Sequence, residues 1–141
     1  MPSTSRLVLD THSWLWWVTE SPELSRRARR LLDRATEIWL PDVCLWEMAM
    51  LVGRRRVRVD RELGLWLRQA VDRPRLQPVP ISPMVAAEVL ELEREGFHGD
   101  PADRLIYASA RTLDAALLSD DQRIRDFETA LPRGAARHLL W

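Results

Sequence analysis

The sequence contains no lysine: all 21 basic residues among its 141 are arginine. That absence removes every mechanism that needs a lysine side chain, namely Schiff-base chemistry, the phosphate-loop lysine of nucleotide hydrolases and the lysine beside the acidic pocket of phospho-receiver domains. Cysteine is almost as scarce. With Cys44 alone there is no intramolecular disulfide, no four-cysteine zinc site and no CxxC redox pair, which points to a reducing, cytosolic setting. Charge of one sign is not in excess, since 21 acidic residues balance the arginines. No net field draws the whole molecule to nucleic acid or an anionic membrane, so any such binding has to come from a local patch. No apolar run approaches the roughly 20 residues of a membrane helix. The opening Met1-Pro2-Ser3-Thr4-Ser5-Arg6 leads straight into a short apolar strand, without the apolar core and cleavage site of a signal peptide. The expectation is a cytoplasmic protein with no membrane association.

What is present is a chain with 46% hydrophobic residues, enough for one core and one domain over 1–141. Leu7-Val8-Leu9 reads as a strand that stops at Asp10, with Thr11-His12-Ser13 starting a helix through Trp14 to Val18. Ser21-Pro22-Glu23 should open a second helix with Leu24, Ala28, Leu31, Leu32 and Ala35 on one side. Ile38 to Leu40 reads as a strand, and Pro41-Asp42 as the start of a strongly apolar helix ending near Gly53. A helix over about 61–71, an extended segment at 77–81 and a helix from Met84 to about Glu95 behind Ser82-Pro83 follow. After the loop 96–99 come a helix over 101–113, a strand at 115–118, a short helix over 122–128 and a terminal strand at 138–141. Short apolar strands alternating with helices predict an α/β fold with a mainly parallel sheet covered on both faces. In such sheets ligands sit beyond the carboxyl ends of the strands.

Carboxylates gather at those ends. Asp10 closes the first strand, and Asp120-Asp121 follow Leu117-Leu118-Ser119 at the end of another, so parallel strands bring them to one edge. One such Asp is simply a helix cap, but several from distant segments suggest a site. Glu47 lies inside the apolar helix Val43 to Val52, where a buried charge costs several kcal/mol, about the scale of a protein's stability margin, unless a cation or an arginine compensates it. Asp100-Pro101-Ala102-Asp103-Arg104 supplies an N-cap in Asp100 and a second acid, Asp103, which either serves the helix dipole or faces a site. If Asp10, Glu47, Asp103 and Asp121 converge, their mutual repulsion calls for cations. Oxygen-only ligation suits Mg²⁺ or Mn²⁺, and histidines at 12, 98 and 138 make no zinc constellation. His12 could support Asp10, while His98 and His138 read as surface or packing residues.

These residues resemble a known family. Leu-Val-Leu-Asp-Thr-His-Ser at 7–13, Leu-Trp-Glu-Met-Ala at 45–49, Gly-Asp-Pro-Ala-Asp-Arg-Leu-Ile at 99–106 and Leu-Leu-Ser-Asp-Asp-Gln-Arg-Ile at 117–124 resemble the motifs of PIN-domain ribonucleases, and in order and spacing those of VapC toxins of type II toxin–antitoxin modules. The resemblance implies a three-layer α/β/α domain with Asp10, Glu47, Asp103 and Asp121 as acids holding one or two Mg²⁺ or Mn²⁺ ions. It implies Thr11 and Ser119 as hydroxyl support and Asp100 as an auxiliary acid. In Ser119-Asp120-Asp121 it aligns Asp121 with the family's acid, although Asp120 could substitute or assist. It further implies an RNA substrate, a homodimer, and a cognate antitoxin whose C-terminal segment fills the active-site groove.

The chemistry expected of such a site is metal-assisted hydrolysis leaving 5′-phosphate and 3′-hydroxyl ends, with water as nucleophile and no Ser/His/Asp triad needed. Candidate phosphate contacts are Arg54, Arg55, Arg56 and Arg58, just beyond the Glu47 helix, and Arg104 beside Asp103. A solvated helix end explains the first four equally well, and a structural salt bridge explains Arg104 better. The apolar residues at 14, 16, 17, 45 and 46 divide between core and a dimer or antitoxin interface. Alternatives are a noncatalytic PIN-like module that binds RNA or protein, and a structure-specific DNA nuclease, for which 141 residues leave little room. A phosphatase with a nucleophilic Asp is disfavoured by Thr11-His12 after Asp10 and by the missing lysine.

Overall fold

The computed structural model describes residues 3–141, which form a five-stranded sheet and seven helices. The strands are β1 (Ser3–Leu9), β2 (Glu37–Pro41), β3 (Leu76–Val79), β4 (Ala115–Leu118) and β5 (Leu139–Leu140). The helices are α1 (Thr11–Val18), α2 (Arg26–Arg34), α3 (Val43–Gly53), α4 (Leu63–Val71), α5 (Pro83–Arg94), α6 (Pro101–Leu113) and α7 (Gln122–Ala130). All four strand pairings are parallel, in the order β3-β2-β1-β4-β5. The chain thus winds from β1 through β2 to β3 at one edge, then crosses back to place β4 on the other side of β1. Between β1 and β4 the winding reverses, and the crevice at such a switch point is where open parallel sheets bind ligands.

Burial explains the layering. Leu7, Val8 and Leu9 of β1 and all four residues of β4 are buried. Successive strand residues point to opposite faces, so both faces of the sheet centre are covered, as parallel sheets require. Helix α6 packs against β1, β2 and β4, and against α3 and α5. It carries Ile106, Tyr107, Ala108 and Ala110 into the core. Trp14 is also fully buried, its indole N–H donating to the carbonyl of Ala70 at 3.1 Å.

Several boundaries differ from the sequence expectation. The second helix does not open at Ser21-Pro22: residues 21–25 turn, and Ser25 caps α2 by accepting from the N–H of Ala28 at 3.0 Å. Ser25 offers the same hydroxyl one turn later, and the apolar stripe Ala28, Leu32 is buried from that start. Strand β1 begins at Ser3, because its polar end pairs Arg6 with Glu37 and Ser3 with Ala115 at the exposed end of the sheet. The terminal strand is confined to Leu139–Leu140. Helix α4 starts at Leu63, with Glu62 capping Gly64 and Leu65 through its carboxylate.

Candidate active site

Each strand end at the switch point hands over to a helix whose cap is an acid. Asp10 follows β1 and caps α1, accepting from the N–H of Ser13 at 2.8 Å. Asp121 follows β4 and caps α7, accepting from the N–H of Arg123 at 2.8 Å. Asp100 caps α6 from the N–H of Ala102 at 3.1 Å, with Pro101 in the first turn. Three helix N-termini, whose partial positive charge favours anions, therefore present carboxylates at the same sheet edge. Two more acids come from helix interiors, Glu47 from α3 and Asp103 from the first turn of α6. Asp10, Glu47, Asp100, Asp103 and Asp121 all line one cleft of about 390 Å³. A larger hollow of about 480 Å³, bordered by Val18, Arg58, Trp66 and Arg73, contains no such group of acids.

The acids are held unequally. Asp10 is buried and receives a short hydrogen bond from the hydroxyl of Ser119, and that hydroxyl in turn accepts from the N–H of Asp121 at 3.1 Å. Ser119 thereby ties the end of β4 to the end of β1. Burial raises the Asp10 carboxyl above its ordinary value, against the lowering effect of the Ser119 and Ser13 hydrogen bonds and of His12. Thr11 donates a short hydrogen bond to Glu47, joining α1 to α3. Glu47 is half-buried rather than enclosed, since its helix face opens on the cleft. Among the described residues Asp103 has no hydrogen-bond donor on its carboxylate. Burial first, then the charges of Asp121, Glu47 and Asp100, push it up to about 7, with Arg123 acting in the opposite direction. Cys44 lies buried behind these groups, its thiol pushed well above the ordinary value by burial and by Asp10, Glu47 and Asp103, despite a hydrogen bond with Thr11.

The donor set fits a hard divalent cation. It is all oxygen, and of the two causes that raise Asp103, burial and then the repulsion of neighbouring acids, the repulsion is what a cation would relieve. Among the described residues no three acids, histidines or cysteines are already drawn to the spacing of a closed metal site. The carboxylates border one common cleft.

The remaining candidates divide. Asp120 is exposed and paired with Arg125 at 3.1 Å, and it does not border the cleft, whereas its neighbour Asp121 does. Of the arginine run, Arg54 and Arg56 line the cleft. Arg55 occupies a left-handed turn (φ 58°) that ends α3, and Arg58 borders the separate hollow beside Val18. Arg104 pairs with Glu93 at 3.4 Å, and its buried Nε has no partner among the described residues. His12 is exposed at the cleft and lies 5.6 Å from Trp16, centroid to centroid, while His98 borders a neighbouring hollow. His138 is a packing residue, its Nδ1 at 2.9 Å from the Ala115 carbonyl.

Sequence reasoning does not single out Ser13, Arg123 or Trp46 as parts of this site. Ser13 offers its N–H to Asp10 and its hydroxyl to the Leu118 carbonyl at 2.8 Å, a role signalled by its place three residues after a strand-ending Asp. Arg123, two residues after Asp121, and Trp46, one before Glu47, both line the cleft. In the sequence Trp46 reads as core or interface, because its neighbours are apolar.

The model of the PIN domain family matches residues 7–129. Ribonuclease VapC22 of Mycobacterium tuberculosis is 34% identical over 126 residues, covering 89% of this chain and 95% of that protein. Among solved structures, VapBC2 from Rickettsia felis bound to a DNA fragment from their promoter shares the fold with a TM-score of 0.61 at 18% identity, over 86% of this chain and 92% of that one. A toxin–antitoxin complex from Klebsiella pneumoniae does so with a TM-score of 0.62 at 17% identity, over 96% of both. These matches span all four segments that carry the clustered acids, and the chain belongs to the PIN-domain family, within its VapC group.

Proposed function

We propose that this chain, acting as a single domain, is a divalent-metal-dependent endoribonuclease and the toxin of a VapBC-type pair, restrained by a cognate antitoxin. The observation that carries the reading is the meeting of Asp10, Glu47, Asp103 and Asp121, from four separate segments, on one cleft at the switch point of the sheet. The ribonuclease activity named for the Mycobacterium relative supports the substrate class, and the Klebsiella toxin–antitoxin complex supports the partner. Among the described residues no helix is long and apolar enough to cross a membrane, in keeping with action in the cytoplasm on RNA, with inhibition of translation or growth as the result. A homodimer belongs to the same reading.

Asp10, Glu47, Asp103 and Asp121 would hold the ion or ions. One or two Mg²⁺ or Mn²⁺ supply Lewis acidity toward the phosphate and lower the pKa of water. The protein's own groups do the positioning. Ser119 and the Ser13 N–H fix the Asp10 carboxylate, Thr11 fixes Glu47, and Asp100 adds negative charge at the rim. Arg54, Arg56 and Arg123 stand at the same cleft to meet phosphates. Water adds to phosphorus and gives up a proton to solvent, the bond to the 3′-oxygen breaks and that oxygen takes up a proton, so the products carry 5′-phosphate and 3′-hydroxyl ends, with no part required of the 2′-hydroxyl.

The test is cleavage of structured RNA by purified, antitoxin-free protein with Mg²⁺ or Mn²⁺, against EDTA and against a folded Asp10→Asn variant. Cutting that depends on metal and is lost in the variant is the expected result. No cutting across a broad RNA panel, with no metal binding by calorimetry, would overturn it in favour of a noncatalytic binding module.

A further inference from the structure

Trp46 is the most anomalous side chain at the cleft. It is 58% exposed on a helix whose mean character is strongly apolar, and it borders the same space as the acids. The chain's other described tryptophans are buried or half-buried: Trp14 and Trp66 pack edge to face at 5.6 Å, Trp16 meets Trp141 at 5.7 Å, and Trp17 lies under the guanidinium of Arg73 at 4.4 Å. Among the described residues Trp46 has no aromatic or cationic partner. An indole left open to water costs hydrophobic free energy unless something covers it in the working state.

The surroundings indicate what covers it. Arg54, Arg56 and Arg123 line the same cleft. Among the described residues none of their guanidinium groups has an ion pair or hydrogen-bond acceptor, whereas Arg6, Arg61, Arg94, Arg104, Arg111 and Arg125 are each paired with a carboxylate. A flat aromatic face, free guanidinium groups and an acidic floor in one cleft match a ligand that alternates phosphates with planar bases. Duplex RNA keeps its bases stacked inside, so only an unpaired nucleotide can present a base to an exposed ring.

Resting on the nuclease reading above, we infer that Trp46 is a stacking platform for an unpaired base next to the scissile phosphate, with Arg54, Arg56 and Arg123 gripping the flanking phosphates. Trp46 precedes Glu47 on α3, so a base stacked there fixes the register of the strand relative to the acids. In the antitoxin-free protein this surface belongs to the substrate.

The experiment compares wild type with Trp46→Ala and Trp46→Phe. The substrates are a single-stranded oligoadenylate, the same oligomer abasic at single positions, and a fully paired duplex. Stacking on an aromatic ring supports a loss of about tenfold, expected in KM for Trp46→Ala, with Trp46→Phe recovering most of it. On the oligomer abasic at the stacked position, wild type and Trp46→Ala should converge. Binding of the uncut oligomer in an Asp10→Asn background should weaken by a similar factor when Trp46→Ala is added. If wild type cuts single strands and Trp46→Ala cuts them with unchanged KM on every oligomer, the inference fails while the nuclease reading stands. It fails equally if Trp46→Ala instead abolishes self-association in sedimentation, which would give the ring to a second copy of this chain. If wild type cuts no RNA, the nuclease reading fails first, and unchanged oligomer binding by Trp46→Ala then removes the stacking role as well.

Discussion

Two carboxylate environments in this molecule stand in contrast. Glu128 of α7 is buried, and the protein answers its charge completely: the Tyr107 hydroxyl and the His138 N–H each donate to Oε2 at 2.6 Å, and the Leu139 N–H donates to it at 3.1 Å. Those bonds tie the last strand to α7 and α6, and burial first and the Glu128 contact second push the Tyr107 hydroxyl well above its ordinary value. At the cleft, Asp103 has no donor among the described residues and faces Asp121, Glu47 and Asp100. A buried or half-buried charge is tolerable when hydrogen bonds compensate it and costly when they do not. The same fold thus solves the problem in one place and leaves it open in the other. An unsolved charge at a switch-point crevice is stability given up for binding.

Substitutions at the two places should therefore have opposite signatures. Asp103→Asn is expected to lower RNA cleavage by about 100-fold or more, the scale of removing a group that organises charge stabilisation at the reacting phosphate. It should leave metal-free stability at pH 8 equal to or above that of the wild type in urea denaturation. Glu128→Ala should do the reverse. It orphans a buried hydroxyl and two backbone N–H groups, at about 1–3 kcal/mol for each left without water, so unfolding should shift by about 3 kcal/mol, with cleavage per folded molecule retained. A stability loss in Asp103→Asn matching that of Glu128→Ala would erase the distinction.

The contrast sharpens with pH. Asp103 in the folded chain titrates near 7, against an ordinary value of 3.8, so between these values the native state binds more protons than the unfolded state. Stability of the metal-free protein should therefore be highest at the acid end of that window and fall as pH rises from about 4 to 7, then level off. Burial of Asp10 acts in the same direction. Thermal unfolding across pH, with and without Mg²⁺, checks this: the decline should flatten with the ion and in Asp103→Asn. A decline that persists unchanged in both would place its origin elsewhere.

How much of this is legible in the sequence follows from what each feature depends on. Alternation of short apolar runs with capped helices is local information, and it yields the strands, their parallel sense and the helix order. The acids are legible because each is out of place locally: Glu47 sits in an apolar helix, and Asp10 and Asp121 follow strands that should simply end. What stays hidden depends on the path of the chain in three dimensions. The arginine run divides between two hollows, Arg54 and Arg56 at one and Arg58 at the other, and the pairing of Arg104 with Glu93 needs α5 to lie on α6. Glu128 gives no local sign either, because its three donors come from α6 and from the backbone of the residues that close the sheet. The second helix starts a few residues later than its sequence suggests because Ser21 and Ser25 offer the same capping chemistry, and it is Ser25 that caps α2, with Leu24 buried in the turn before it.

The finest division in the molecule is between neighbours. Asp120 and Asp121 are chemically identical and adjacent, yet one turns outward to Arg125 and the other into the cleft while capping α7. An exposed ion pair of this kind is worth about 0–1 kcal/mol. Asp120→Asn should therefore shift unfolding by no more than about 0.5 kcal/mol and leave the cleavage rate near that of the wild type. Asp121→Asn keeps an acceptor for the Arg123 N–H, so the cap survives. It removes a charge that Asp103 feels, so its RNA cleavage should fall steeply while the Asp103 titration moves to lower pH. Both effects can be read from one pair of variants, by steady-state cleavage and by carboxyl titration in NMR. Equal loss in the two variants would mean that the chain end of β4 rearranges on binding substrate, bringing Asp120 inward and breaking its contact with Arg125.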